Sequence, residues 1–116
     1  MVVAKFTMDE SKRSVTLKVK GHAGAAPKGE DTICASATIL AYTVAQNIKM
    51  ADSRGMLKYS PTIKLRDGDS IISCRAKDHE SYAELLHTYL VVQTGYVLLA
   101  HNYPQFVAVE MFGEAE

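Results

Sequence analysis

The run Ser14-Val15-Thr16-Leu17-Lys18-Val19-Lys20 leads directly into Gly21-His22-Ala23-Gly24-Ala25-Ala26-Pro27-Lys28-Gly29-Glu30-Asp31-Thr32-Ile33-Cys34-Ala35-Ser36-Ala37-Thr38, and this junction decides the fold. In its first part, apolar Val15, Leu17 and Val19 alternate with Thr16, Lys18 and Lys20. A period of two marks a strand with one wet face. The alternation stops at Gly21. Residues 21–31 hold three glycines, a proline and several small side chains, which predicts a loop. The period then changes: Ile33, Ala37, Leu40, Ala41, Val44 and Ile48 recur at helical spacing, predicting a helix over 32–51. Asp31 or Thr32 can cap it, because either side chain can accept hydrogen bonds from the first-turn N–H groups.

Outward from this junction the same rules place the remaining elements. Residues 2–8 read as a strand, joined to 14–20 by a polar hairpin connection at 9–13. Residues 56–66 and 70–76 are β-rich and flank Asp67-Gly68, whose residues tolerate positive φ and signal a hairpin. Pro61 lacks an N–H, so its strand belongs at an edge or carries a bulge. Asp78 is expected to cap a second helix, with a capping box at Ser81 and Glu84 close by. Ala83, Leu86, Leu90, Val97 and Leu98 are its expected apolar positions, and Gly95 either weakens it or admits a close neighbour. Tyr103-Pro104 stops this helix, and 106–112 reads as a last strand. The order ββαββαβ predicts an α+β fold, with two helices packed on a largely antiparallel sheet. At 116 residues the chain is expected to be a single domain spanning 1–116.

The charge balance narrows the function. Lys plus Arg number 13 and Asp plus Glu 13, so the formal net charge is zero. A protein gripping nucleic acid through its phosphates carries a basic excess, so no direct nucleic-acid partner is expected. Cys34 and Cys74 are forty positions apart without a CxxC spacing, and the four histidines form no HExxH pattern. Neither a metal site nor an organic cofactor is expected. The first ten residues lack the apolar run of a signal peptide, and no stretch reaches the roughly 18 apolar residues of a membrane span. The expectation is therefore a cytoplasmic protein with reduced thiols and no membrane partner.

His22 ends a strand and Cys34 stands in the first turn of a helix, with a glycine-rich loop between them. A thiol is a weak nucleophile until it loses its proton, and the partial positive charge of a helix N-terminus favours the thiolate. A neighbouring imidazolium favours it further, and Cys–His pairs are the nucleophile and base of many acyl-transfer enzymes. First-turn N–H groups, including that of Cys34, are expected to be available to an oxyanion. The small-residue loop 23–30 is expected to be poorly ordered alone and to fold over a substrate. Set against this is the ordinary reading, in which a lone cysteine in an apolar helix is a small core residue.

Gly21-His22-Ala23, then Gly29-x-Asp31, then Cys34-Ala35 resemble the signature of the ribosomal-processing cysteine protease Prp family. The likeness runs the length of the chain, from the first hairpin to Tyr103-Pro104 before the last strand. It implies that His22 and Cys34 are the catalytic pair. It also implies that a short N-terminal extension of a large-subunit bacterial ribosomal protein is the substrate, and that the enzyme is a homodimer. The chain departs from the family where Ala35-Ser36-Ala37-Thr38 replaces the usual Ala-Ala-Val-Ser; Thr38 keeps the hydroxyl one turn below Cys34.

Asp31 is a candidate both for the helix cap and for orienting His22, and Thr38 a candidate supporting residue. Gly24, Lys28, Gly29, Glu30 and Ser36 are candidates for substrate contact, on nearness alone. Cys74 reads as a core residue, and His79, His87 and His101 as structural or surface residues. Tyr82, Tyr89 and Tyr96 recur every seven residues, as a packing or dimer stripe does. Two other functions fit the same residues: a non-catalytic, ribosome-associated peptide-binding module, and a thiol redox sensor, for which Cys74 offers no resolving-cysteine cue.

Overall fold

The structure is a computed structural model that describes residues 1–27 and 31–112. The elements follow as β1 (Val2–Asp9), β2 (Ser14–Lys20), α1 (Thr32–Ser53), β3 (Thr62–Arg66), β4 (Asp69–Arg75), α2 (His79–Asn102) and β5 (Val107–Phe112). The strands form one sheet in the order β3-β4-β2-β1-β5. Every pairing is antiparallel except β1 with β5, which is parallel because α2 carries the chain back across the sheet. The α+β class and the element order are as the sequence implies.

Register explains which side is core. Phe6 faces Leu17, Leu17 faces Ile72, and Ile72 faces Ile63, so one apolar row crosses four strands. The neighbouring row is Lys5, Lys18, Ile71 and Lys64, on the opposite face. The apolar row meets both helices. Ile33, Ala37, Ala41, Val44 and Ile48 of α1 are buried as their spacing predicts, together with Ala45 and Ala51. Phe6 meets the rings of Tyr89 and Tyr96 edge-on at 5.2 and 5.6 Å, a favoured aromatic geometry.

The buried face of α2 differs from the expected one. Ser81, Tyr82, Leu85, Tyr89, Val92 and Tyr96 are inside, while Ala83, Leu90, Val97 and Leu98 are exposed and Leu86 is half-buried. The helix is apolar almost all round, so hydrophobicity alone does not select a face. Polar handles select it instead. The Tyr89 hydroxyl donates to the Thr16 carbonyl at 2.6 Å, and that of Tyr96 to the Ala37 carbonyl at 2.6 Å. Each such bond contributes about 1 kcal/mol net, and a bare buried hydroxyl costs more than that. The tyrosine stripe is therefore a packing stripe. Burial raises both hydroxyl pKa values above the usual phenol range.

Three further differences are local. The first middle strand begins at Thr62, not at 56; Leu57 makes only an isolated bridge to Ala76. Pro61, without an N–H, precedes the shortened strand, which is the edge strand its sequence implied. The cap of α2 is Asp78 alone: the Ser81 N–H donates to its carboxylate at 2.8 Å, so Ser81 is the capped residue and not the start of a capping box. Gly95 admits a neighbour, since a Cβ there would meet Leu40 Cδ2 at 2.9 Å. This brings α1 close against α2.

Candidate active site

The site forms where the end of β2, the start of α1 and the β3–β4 turn converge. Gly21 makes the convergence possible. Its φ of 91° is in the glycine-favoured region, and a Cβ there would collide with the Met1 carbonyl. Its N–H donates to the Gly68 carbonyl at 2.9 Å, tying the strand end to the hairpin turn. His22 then leaves the sheet with an exposed imidazole, while Ala23 turns inward and is buried. The sequence motif Gly-His thus has a mechanical basis: the glycine bends the chain and the histidine is delivered by the bend.

The cysteine is held by the start of α1. Asp31 is the N-cap, and its Oδ1 accepts the Cys34 N–H at 2.9 Å. Its Oδ2 accepts the Ala25 N–H at 3.1 Å, so one carboxylate clamps both the helix and the loop. These N–H donors, that of Cys34 foremost, hold the Asp31 carboxyl below its usual value. The expectation that the Cys34 N–H is available to an oxyanion is corrected by this bond. An N-cap carboxylate three residues upstream takes that donor for the helix.

His22, Gly24, Ala26, Asp31, Cys34, Ala35, Thr38 and Asp67 line one open cleft of about 490 Å³. The two chemistry-bearing side chains therefore share a cavity. Among the described residues, no hydrogen bond joins the Cys34 thiol to the His22 imidazole. A second hollow of about 160 Å³ adjoins it and shares Cys34, Thr38 and Asp67. Cys34, half-buried, lines both hollows.

The remaining candidates divide. The Thr38 hydroxyl donates to the Cys34 carbonyl at 2.9 Å and that of Ser36 to the Thr32 carbonyl at 2.7 Å, so both hydroxyl protons go to the helix backbone. Gly24 lines the cleft. Lys28, Gly29 and Glu30 lie outside the described residues, as does the part of the loop expectation that rests on them. Cys74 is a core residue, with its thiol pushed up to about 12 by burial. His79, His87 and His101 are exposed on α2. In the sequence Asp67 reads only as a turn residue. Its Oδ1 is 3.9 Å from His22 Nδ1, and nothing in an Asp-Gly dipeptide distinguishes such a neighbour from an ordinary turn. Among the described residues, no group of three or more His, Cys, Asp or Glu side chains could hold a metal ion.

Comparison with known proteins adds the family. The model of the family described as cysteine protease Prp matches residues 1–108. Among solved structures, SMU.848 from Streptococcus mutans superposes with a TM-score of 0.69 at 20% identity, covering 98% of this chain and 96% of that one. The essential ribosomal processing protease Prp from S. aureus was solved with a covalently linked product peptide. It superposes with a TM-score of 0.63 at 20% identity, covering 96% of this chain and 99% of that one. The same protease with a substrate peptide gives 0.65 at 17% identity over the same shares, 96% and 99%. At these identities the structures share the fold. No curated protein matches the chain significantly. The match over nearly the whole length decides between enzyme and binding module: the chain belongs to the cysteine protease Prp family.

Proposed function

We propose that the protein removes the N-terminal extension of a large-subunit bacterial ribosomal protein, with Cys34 as nucleophile and His22 as its acid and base. The observation that carries this reading is the shared cleft, which presents a helix-capped cysteine and an exposed imidazole to one bound chain. The family match and the peptide complexes of the S. aureus protease support the substrate class.

The steps follow from the residues. His22 takes the Cys34 proton, and the sulfur, at the positive end of α1, attacks the scissile carbonyl. The tetrahedral intermediate collapses when the imidazolium gives its proton to the leaving amine, and the thioester remains on Cys34. His22 then takes a proton from water, whose oxygen attacks the thioester. The carboxylic acid product leaves and the thiol is restored. The Thr38 and Ser36 hydroxyls bond back to carbonyls one turn earlier in the helix, and Gly24 lines the cleft that receives the substrate.

In this reading the enzyme works as a cytoplasmic homodimer. Exposed Ile39, Tyr42 and Met50 on α1 and Val91 and Leu98 on α2 leave apolar surface outside the core, of the kind that subunit contacts cover.

The test is mass spectrometry of a peptide spanning the host protein's extension, incubated with wild type and Cys34→Ser. A single cut by wild type alone, with a loss on the order of 10⁴-fold or more in the variant, is the expected result. Cleavage by a folded Cys34→Ser protein at the wild-type rate would sink the mechanism.

A further inference from the structure

The β3–β4 turn does more than reverse the chain. Its Asp67 carboxylate is 3.9 Å from His22 Nδ1, with the two side chains 63% and 57% exposed. Its Gly68 lies under the imidazole. A Cβ built on Gly68 would stand 2.6 Å from His22 Nε2, 3.0 Å from Cε1 and 3.3 Å from Cδ2. Three ring atoms at such similar distances mean that the ring lies across Gly68 and does not point at it. Nδ1 is thus on the Asp67 side and the ring face lies on Gly68. Among the described residues lining the cleft, the other carboxylate is Asp31, and it is committed to the Cys34 and Ala25 N–H groups.

We propose that Asp67 is the positioning residue of the His22 imidazole, its carboxylate 3.9 Å from Nδ1 favouring the tautomer with the proton on that nitrogen, while Gly68 provides the flat seat on which the ring lies. This inference rests on the Cys34–His22 reading and deepens it. A carboxylate beside Nδ1 favours the tautomer in which Nε2 does the proton transfer, and it supports the ring when it carries a charge. Because Gly21 donates to the Gly68 carbonyl, the strand that carries His22 and the turn that orients it form one unit. Gly68 is required for two reasons at once: with φ 71° it reverses the chain, and without a Cβ it leaves room for the ring.

Among the described residues, the charged and titratable groups next to His22 in the chain, in its cleft or in the adjoining hairpin come from three elements. They are Lys20 at the end of β2, Asp31 and Cys34 at the start of α1, and Arg66, Asp67 and Asp69 of the hairpin. Among the described residues, Asp67 is the one within ion-pair distance of the imidazole. Replacing it with asparagine keeps the shape and removes the anion, which weakens the protonated ring and, through it, the thiolate that the ring supports.

The experiment needs no substrate. The rate at which iodoacetamide alkylates the protein is measured against pH for wild type, Asp67→Asn, His22→Ala and Gly68→Ala. Cys74 is buried, so the reagent reads Cys34. An exposed pair couples weakly, so the expected fall at neutral pH in Asp67→Asn is about fivefold. The pH profile is displaced as well, while thermal stability is unchanged. His22→Ala falls further, and Gly68→Ala behaves like Asp67→Asn because the ring loses its seat. If His22→Ala is slowed but Asp67→Asn keeps the wild-type rate and pH profile, Asp67 is only a turn residue and this inference is overturned. If His22→Ala itself alkylates like wild type, the dyad reading fails, and this inference with it.

Discussion

The two helices begin with the same device and end up with different jobs. Asp31 caps α1 by accepting the Cys34 N–H at 2.9 Å, and Asp78 caps α2 by accepting the Ser81 N–H at 2.8 Å. In each case the third residue of the helix is a small nucleophilic side chain, and the N–H donors of the turn hold the capping carboxyl below its usual value. The surroundings differ. Ser81 is buried against the core, and α2 has Glu80 in its first turn. Cys34 opens onto a cleft, α1 has no acidic residue in its first turn, and His22 shares the cleft wall. An acidic side chain there would strengthen the helix start but oppose a thiolate. A capped helix start is therefore common architecture. The proposed site adds three things to it: an open thiol, a first turn without further anions, and an imidazole brought from another element.

Moving the thiol from one helix start to the other tests this difference most directly. In a Cys34→Ala, Ser81→Cys double variant the sulfur occupies the equivalent capped position of α2. It should give no cleavage of the extension peptide and no uptake of iodoacetamide by the native protein, a loss on the order of 10⁴-fold or more. Cleavage by this variant would mean that a helix N-terminus alone makes a working nucleophile here, and that the cleft and His22 are dispensable.

The sequence makes one half of this comparison readable and hides the other. The ββαββαβ order follows from strict alternation in 14–20 and from helical spacing in 32–51, because short-range periodicity reports which side of an element is dry. Gly21-His22 and Cys34 stand out for the same local reason: a glycine interrupts the strand and a cysteine follows a cap. What sequence does not carry is the third wall. Asp67-Gly68 lies more than thirty positions from Cys34 and reaches His22 only through the antiparallel pairing of β2 with β4. Turn chemistry gives Asp-Gly the same residues whether or not a ring rests on it. The buried face of α2 was hidden for another reason. Its apolar residues nearly encircle the helix, and the choice of face falls to the hydroxyl bonds of Tyr89 and Tyr96.

A smaller effect separates the two caps themselves. Asp31→Ala and Asp78→Ala each remove an acceptor from a first-turn N–H, so both should lower the melting temperature by similar amounts. Only Asp31→Ala should also lower kcat/KM, by about tenfold, because it loosens the turn that aims Cys34 and frees the Ala25 loop contact. Thermal melts beside peptide cleavage rates check this. Equal activity in the two variants would show that the cap does not aim the nucleophile.

The smallest expected effect is the pH dependence of the caps. Asp31 and Asp78 have folded-state values lowered from 3.8 by backbone N–H donors. A group depressed in the folded state contributes stability that is fully present above its unfolded value. That contribution is lost as pH falls through the lower, folded value. Wild type should therefore lose stability from about pH 4 downward, since the unfolded chain takes up protons that the caps resist. Asn accepts the same hydrogen bond without titrating, so Asp78→Asn should start somewhat less stable at pH 7 and decline less between about pH 4 and pH 2. Asp31→Asn should flatten the curve in the same sense, because its carboxylate is lowered by the same kind of donor. Urea melts at a series of pH values measure both. A slope below pH 4 unchanged in both variants would place the acid sensitivity elsewhere, with Asp9, whose carboxyl is lowered chiefly by the Ser11 hydroxyl, as the next carboxylate to replace.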